Sequence, residues 1–281
     1  APDGERPGEQ DGTTYLLVGS DSRADLSEDE RQELGTGGAS GQRTDTIMLL
    51  HTGSGPSVLM SVPRDSVVAI PGYGEGEKVN AAYAYGGPKL LVRTLEGETG
   101  IRIDHYVEIG LGGFVSVVDA VGGIKICPTQ AMNDPLANLD IEKGCQEADG
   151  TVALGYARSR KTSNLGDIDR AKHQREVVSA VGDKAASPWT VLNPVRYFRL
   201  NNAMPDFFTV SEGTNPFDMA RFAWAMTRVD GETGLTCGVP IADLEVNWDP
   251  ERSQQLFDLI IEDDTSSIPE GLCTPSGIPK Q

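Results

Sequence analysis

Arginine and aspartate recur side by side at the ends of apolar runs. Asp21 and Arg23 follow TTYLLVG, Arg43 and Asp45 precede TIMLLH, and Arg64 and Asp65 follow SVLMSV. A guanidinium is a planar fork that grips phosphate oxygens two at a time. A carboxylate is a hard oxygen ligand suited to Mg²⁺ or Mn²⁺. The two together are what a pyrophosphate site needs, because carboxylates alone repel the anion and arginines alone leave no place for a metal. Any one of these segments reads equally well as a solvated turn; the threefold recurrence argues for a site.

A second concentration lies in residues 156–175 (YARSRKTSNLGDIDRAKHQR). Arg158, Arg160, Lys161, Arg170, Lys172 and Arg175 make six of the 24 lysines and arginines within 20 residues, inside a chain of net charge −18. Local positive charge on so acidic a background points to a specific anion. On a helix beginning near Ile168, Arg170 and Gln174 are four residues apart and share a face. The competing reading is that these cations complement helix C-termini or form surface ion pairs.

The elements that position these residues follow from apolar patterning. Residues 13–19, 46–51 and 57–62 read as buried strands, the last two joined by the turn at 52–56 into a hairpin. Strands are also expected at 106–109, 124–127 and 235–239. Helices are expected at 89–98 after Pro88, at 114–121 before Gly122-Gly123, and at 152–159, 168–186, 221–228 and 250–262. This alternation argues an α/β fold with a mixed central sheet and helices on both faces. Residues 25–42 read as a long polar loop.

Composition narrows the partners. The 281-residue chain is 38% hydrophobic and 23% charged, ordinary for a soluble globular protein. Its acidity argues against nucleic acid, whose phosphates need basic faces. No apolar run is long enough to span a bilayer, and residues 1–12 have the Pro, Gly and acidic composition of a linker. Cys127, Cys145, Cys237 and Cys273 contain no CxxC pair, which disfavours a zinc site. Three disulfide pairings are open, as is a set of four free thiols. The sequential pairing closes two short loops, each stabilising by roughly 3–4 kcal/mol in the chain-entropy model, and disulfides would place the protein in an oxidising compartment.

The ordered motifs GSDSR, RTDT, VPRDS, KVNAAYAYGG, VDAVGGI, ARSRK and GDIDRAKHQR resemble the LytR–CpsA–Psr family of Gram-positive bacteria, from about Tyr15 to Val181. The resemblance implies an α/β/α sandwich on the extracytoplasmic face of the membrane, with 13–281 a single catalytic domain, 187–281 completing it, and 1–12 leading from an N-terminal membrane anchor. It implies transfer of a glycopolymer from a polyprenyl-pyrophosphate carrier to a peptidoglycan hydroxyl, leaving a phosphodiester. Matched motif by motif, Asp21 and Asp45 would ligate Mg²⁺, with Arg23 and Arg43 beside them. Arg64 would clamp the pyrophosphate, oriented by Asp65, and Lys78 and Asn80 would line the headgroup site. Arg158, Arg160, Arg170, Gln174 and Arg175 would form the phosphate cradle, supported by Asp167. Tyr83 is expected to pack rather than react. His173 stands where the family commonly has arginine, which implies a weaker or a pH-sensitive contact.

The lipid tail would need a dry tunnel, expected between the sheet and helices 88–98 and 114–121, although such faces also serve as plain core. Three other readings share these residues: a non-catalytic protein that binds lipid-linked glycan, a polyprenyl pyrophosphatase using water, and an enzyme glycosylating a surface protein.

Overall fold

The structure, a computed structural model, describes residues 6–20, 44–159, 166–185, 208–229, 234–243 and 245–278. Asp21, Arg23, Arg43, Arg160, Lys161 and the 25–42 loop lie outside the described residues, as do the side chains of Asp45, Asp167, Arg170 and Arg175.

Among the described residues a six-stranded sheet forms the centre. Its members are β1 (Thr13–Ser20), β2 (Thr44–Thr52), β3 (Ser57–Ser61), β6 (His105–Ile109), β11 (Phe208–Val210) and β12 (Gly234–Gly238), in the order β11-β6-β1-β2-β3-β12. β6 runs parallel to β1 and β12 parallel to β3, while the other neighbours are antiparallel. The strands read as near-continuous apolar runs because both faces are covered. Leu16 and Val18 point to one face, where they meet Leu91 and Leu95 of α1 (Val79–Thr99) and Leu256, Phe257 and Ile260 of α6 (Pro250–Ile261). Tyr15 and Leu17 point to the other, against Phe222, Ala225 and Met226 of α5 (Pro216–Met226). This is the expected three-layer α/β/α arrangement, and each such side chain taken fully out of water stabilises it by roughly 1.5–3 kcal/mol. Both edge strands come from the C-terminal part, which completes the sheet as expected; β12 is the strand expected at 235–239, and β11 is an addition to it.

A second apolar cluster sits beside the sheet. It joins α2 (Leu111–Ala120), α3 (Gly150–Arg158) and α4 (Gly166–Ala185) to four short strands: β7 (Ile124–Ile126), β8 (Met132–Asp134), β9 (Leu139–Ile141) and β10 (Gln146–Ala148). The disulfide Cys127–Cys145 closes this lobe, and Cys237–Cys273 ties β12 to the segment after α6. The pairing is the sequential one, and no cysteine is free.

Two local expectations need correction. The helix expected to start at Pro88 already starts at Val79, directly after the hairpin of β4 (Val67–Ile70) and β5 (Gly74–Lys78). It breaks at Gly86 and Gly87 (φ 63°) and resumes at Pro88, so the proline does open a helical segment, but the second of two. Residues 6–12, linker-like in composition, are tied down: Arg6 hydrogen-bonds the Glu96 carboxylate through Nε and Nη2 (3.1 and 2.6 Å), and Gln10 bonds the backbone of Gly100 and Arg102.

His51, at the end of β2, gives the fold a defined acid sensitivity. It is buried between the Thr14 hydroxyl on Nδ1 and the Asp263 carboxylate on Nε2, both at 3.0 Å. A carboxylate only accepts, so Nε2 carries the proton and Nδ1 accepts from Thr14. Burial lowers the His51 pKa, outweighing the opposing pull of Asp263 and Asp104 and adding to the push of Arg221. The contact is thus a hydrogen bond of a neutral ring, not an ion pair. Burial also acts against the Asp263 carboxylate, but the Ser54 amide and His51 outweigh it and hold its pKa below the usual value. A histidine with a depressed folded pKa contributes stability that is whole above the unfolded value of about 6.5 and is lost as the unfolded state takes up protons below it. The Asp263 contribution is whole above about 3.9 and fades below that. Urea midpoints are therefore expected to fall between pH 7 and 5, and His51→Gln to flatten that fall; equal slopes in the two proteins would remove His51 as its cause.

Candidate active site

The sheet topology collects the chemistry on one edge. β1, β3, β6 and β12 end there and β2 begins there, so Ser20, the backbone at Asp45, the residues after Ser61 and Glu108 lie along one edge although far apart in sequence. The β1–β2 ladder is irregular at this point. Gly19 pairs with Thr46 and Ser20 with Thr44, which leaves Asp45 as the extra residue of a bulge. Bulges of this kind re-aim a side chain at the rim of a sheet. Gly19 allows it, because a Cβ there would lie 2.9 Å from Thr46 Cβ.

Arg64 and Asp65 follow β3 in a turn laced to the start of α1: Asn80 N–H donates to Arg64 O (3.2 Å) and Val79 N–H to Ser66 O (2.9 Å). The β4–β5 hairpin then folds back, pairing Val67 with Lys78. Lys78 thereby meets Asp65, its Nζ 2.8 Å from Oδ1, while Arg64 Nε lies 3.3 Å from Oδ2. Two cations share one carboxylate, one positive charge in excess among these three side chains. Arg64 and Asp65 are mostly shielded and Lys78 is exposed. Such a group can hold an anion between a fixed guanidinium and a mobile ammonium.

Glu108 is a neighbour that the sequence gave no signal for, since it sits inside an ordinary strand. In parallel register it lies opposite Val18. Tyr83 of α1 and Tyr106 of β6 both donate to it, at 2.8 and 2.6 Å. Burial first, and then these bonds to Glu108, push Tyr83 up to about 12 and raise Tyr106 as well. Both phenols stay protonated, and the carboxylate is anchored as an acceptor. Tyr83 packs and orients, as expected.

The second group of predicted residues belongs to the neighbouring lobe. Arg158 is the last residue of α3, where a cation complements the helix dipole. Ser159 follows and donates to Asp134 (3.2 Å). On α4, Gln174 is buried, and His173 is buried with its ring tilted 32° against that of Tyr156, centroids 4.3 Å apart.

On helix 88–98, Leu91 and Leu95 are fully buried against the sheet, the plain-core alternative for that face. Partly exposed apolar side chains instead open α2, where Leu111, Phe114 and Val115 gather around Leu154 immediately after the β6 end of the edge.

With this arrangement in view, the chain was compared with known proteins. The LytR_cpsA_psr family model matches residues 4–209. The chain is 51% identical over 256 residues to the probable cell wall biosynthesis protein LcpB of Corynebacterium glutamicum, covering 88% of this chain and 60% of that protein. It is 33% identical over 186 residues to the polyisoprenyl-teichoic acid–peptidoglycan teichoic acid transferase TagU of Halalkalibacterium halodurans, covering 63% of this chain and 54% of TagU. The chain thus spans little more than half the length of these relatives. In three dimensions it matches the LytR-Csp2A-Psr enzyme from Actinomyces oris with a TM-score of 0.73 and 22% identity, over 92% of this chain and 96% of the other. The ordered motifs, the mixed sheet and these matches agree: the chain belongs to the LytR–CpsA–Psr family.

Proposed function

We propose that this chain is an extracytoplasmic phosphotransferase that moves a glycopolymer from a polyprenyl-pyrophosphate carrier to a hydroxyl of the cell wall, leaving a phosphodiester. The observation that carries the reading is the sheet edge that sets the Arg64–Asp65–Lys78 cluster beside the bulge at Asp45. The transferase named among the relatives acts on a polyisoprenyl-linked wall polymer, and such a carrier presents the anion this edge suits. Two disulfides fit an oxidising compartment. No helix among the described residues is long and apolar enough to cross a membrane.

The reaction needs an acceptor hydroxyl oxygen to bond the glycan-proximal phosphorus while the P–O bond to polyprenyl phosphate breaks. Little covalent work falls to the protein, so positioning and charge neutralisation dominate. Arg64 and Lys78 take charge on the pyrophosphate, with Asp65 fixing both. Arg158, Arg160, Arg170, Gln174 and Arg175 complete the cradle in this reading, with Arg23 and Arg43 beside the metal ligands. Asp21 or Asp45 accepts the acceptor's proton. In this reading Asp21 and Asp45 would hold Mg²⁺ or Mn²⁺, since carboxylates are the hard oxygen ligands such an ion takes. Such an ion would neutralise pyrophosphate oxygens. The lipid tail lies along Leu111, Phe114 and Val115.

The test is turnover of a polyprenyl-pyrophosphate disaccharide analogue with and without a peptidoglycan acceptor. Product that requires the acceptor and Mg²⁺, and that is abolished by chelation, is expected. Equal release of phosphate without the acceptor would instead mark a pyrophosphatase, and binding without any release a carrier protein.

A further inference from the structure

An aromatic pair outside the site described above has no structural need for its exposure. Tyr73, at the tip of the β4–β5 hairpin, and Tyr85, on the first segment of α1, stack with centroids 4.5 Å apart and planes 19° from parallel. Burying large aromatic area is favourable, yet these rings remain 55% and 47% exposed. Both are set firmly. Gly72 and Gly74 take positive φ on either side of Tyr73, and Tyr73 N–H bonds Ile70 O (2.9 Å). Tyr85 precedes the Gly86–Gly87 break and donates to Glu77 Oε2 (3.3 Å). Glu75 and Glu77 stand on the adjoining strand, Glu75 exposed.

We propose that Tyr73 and Tyr85 form a subsite for a neutral pyranoside chain, adjoining the Arg64–Asp65–Lys78 cluster; this rests on the glycan-transfer reading above. A pyranose ring offers one face of C–H bonds, slightly positive, to the negative face of a phenol. Its edge carries hydroxyls, which donate to carboxylates such as Glu75 and Glu77. Those carboxylates repel a polyanion and leave a neutral sugar as the fitting occupant. The position is also right. Tyr85 is seven residues along the helix from Lys78, about 10 Å at 1.5 Å per residue, the reach of a short oligosaccharide from the pyrophosphate. The same sugar chemistry is present in the donor's glycan and in the wall acceptor.

The experiment is calorimetric titration of the whole chain with two probes: chitotetraose, a neutral β-linked acceptor mimic, and a polyprenyl-pyrophosphate analogue with and without a disaccharide. The variants are Tyr73→Leu with Tyr85→Leu, which keeps an apolar contact between hairpin and helix but removes both π faces, and Glu77→Gln, which keeps the stack. The double variant should bind one of the sugar probes about tenfold more weakly, with Glu77→Gln weakened in the same direction. Loss confined to chitotetraose assigns the subsite to the acceptor. Loss confined to the glycosylated analogue, with the bare pyrophosphate unaffected, assigns it to the donor. Unchanged binding of both sugar probes, or no sugar-dependent binding by the wild type, overturns the proposal. Should the double variant melt early, Glu77→Gln alone decides on the same criterion. Transfer activity is read separately: absent turnover with intact sugar titrations sinks the transferase reading only, and intact turnover with flat titrations sinks only the subsite.

Discussion

Arg64→Ala is expected to lower transfer turnover by about 10²–10³-fold, the loss typical when one preorganised donor to developing charge is removed. The reason lies in how Arg64 is held. Its backbone carbonyl is fixed by Asn80 and its side chain by Asp65, which is itself braced by Lys78. The guanidinium is therefore set before substrate arrives, and little ordering remains to be done at the moment of reaction. Arg64→Lys should recover only part of the loss, because a point charge on a flexible stem cannot reproduce the planar fork. Lys78→Ala should cost less, since that ammonium is exposed and screened. Steady-state kinetics on the disaccharide analogue, with melting midpoints as a folding control, read all three. Equal activity of Arg64→Ala and wild type would remove Arg64 from the site.

The second large effect is on stability. Arg6 meets Glu96 with the carboxylate 2% exposed, and Glu96 also accepts from Ile103 N–H at 3.0 Å. Arg6→Ala leaves a buried carboxylate without its cation, which costs about 3–5 kcal/mol when a buried pair is broken from one side. Arg6 itself is about a third exposed, so solvent screening draws the expectation toward the lower end. Arg6→Ala with Glu96→Leu should regain much of the loss, because an apolar pair of similar volume needs no charge compensation. Urea unfolding of the single and double variants measures both terms. A single variant as stable as wild type would show that the Arg6–Glu96 pair contributes nothing to the fold.

How far the residues announced this molecule differs from element to element. β1, β2 and β3 are legible because strands covered on both faces must be apolar throughout, and such short runs stand out. β5 is not, since GEGEK carries no apolar residue and forms only by pairing with β4. α1 was half hidden because Gly86-Gly87 interrupts its pattern just where Pro88 offers a plausible start. β7 is legible as the apolar run after Gly122-Gly123, whereas the three-residue strands β8 to β10 are too short to show alternation. Within the site, Arg64 and Asp65 were legible from their pairing at a strand end. Lys78 was reached through its motif, and the hairpin register that brings it to Asp65 is a tertiary fact. Glu108 lay within an ordinary strand, with no local mark that two tyrosines from different elements would hold it. The contact of the His173 ring with Tyr156 is likewise a product of helix packing that carries no local mark in the sequence.

Metal-assisted transfer by Asp45 and the arginines is the core of the proposed function. The most direct measurement is Mg²⁺-dependent release of polyprenyl phosphate from the disaccharide analogue by the wild type, Asp45→Ala and Arg160→Ala. The account predicts turnover in the wild type that vanishes on chelation and is lost in both variants, while their melting midpoints stay in place. No turnover in the wild type, with tight binding of the analogue that survives both substitutions, would contradict it.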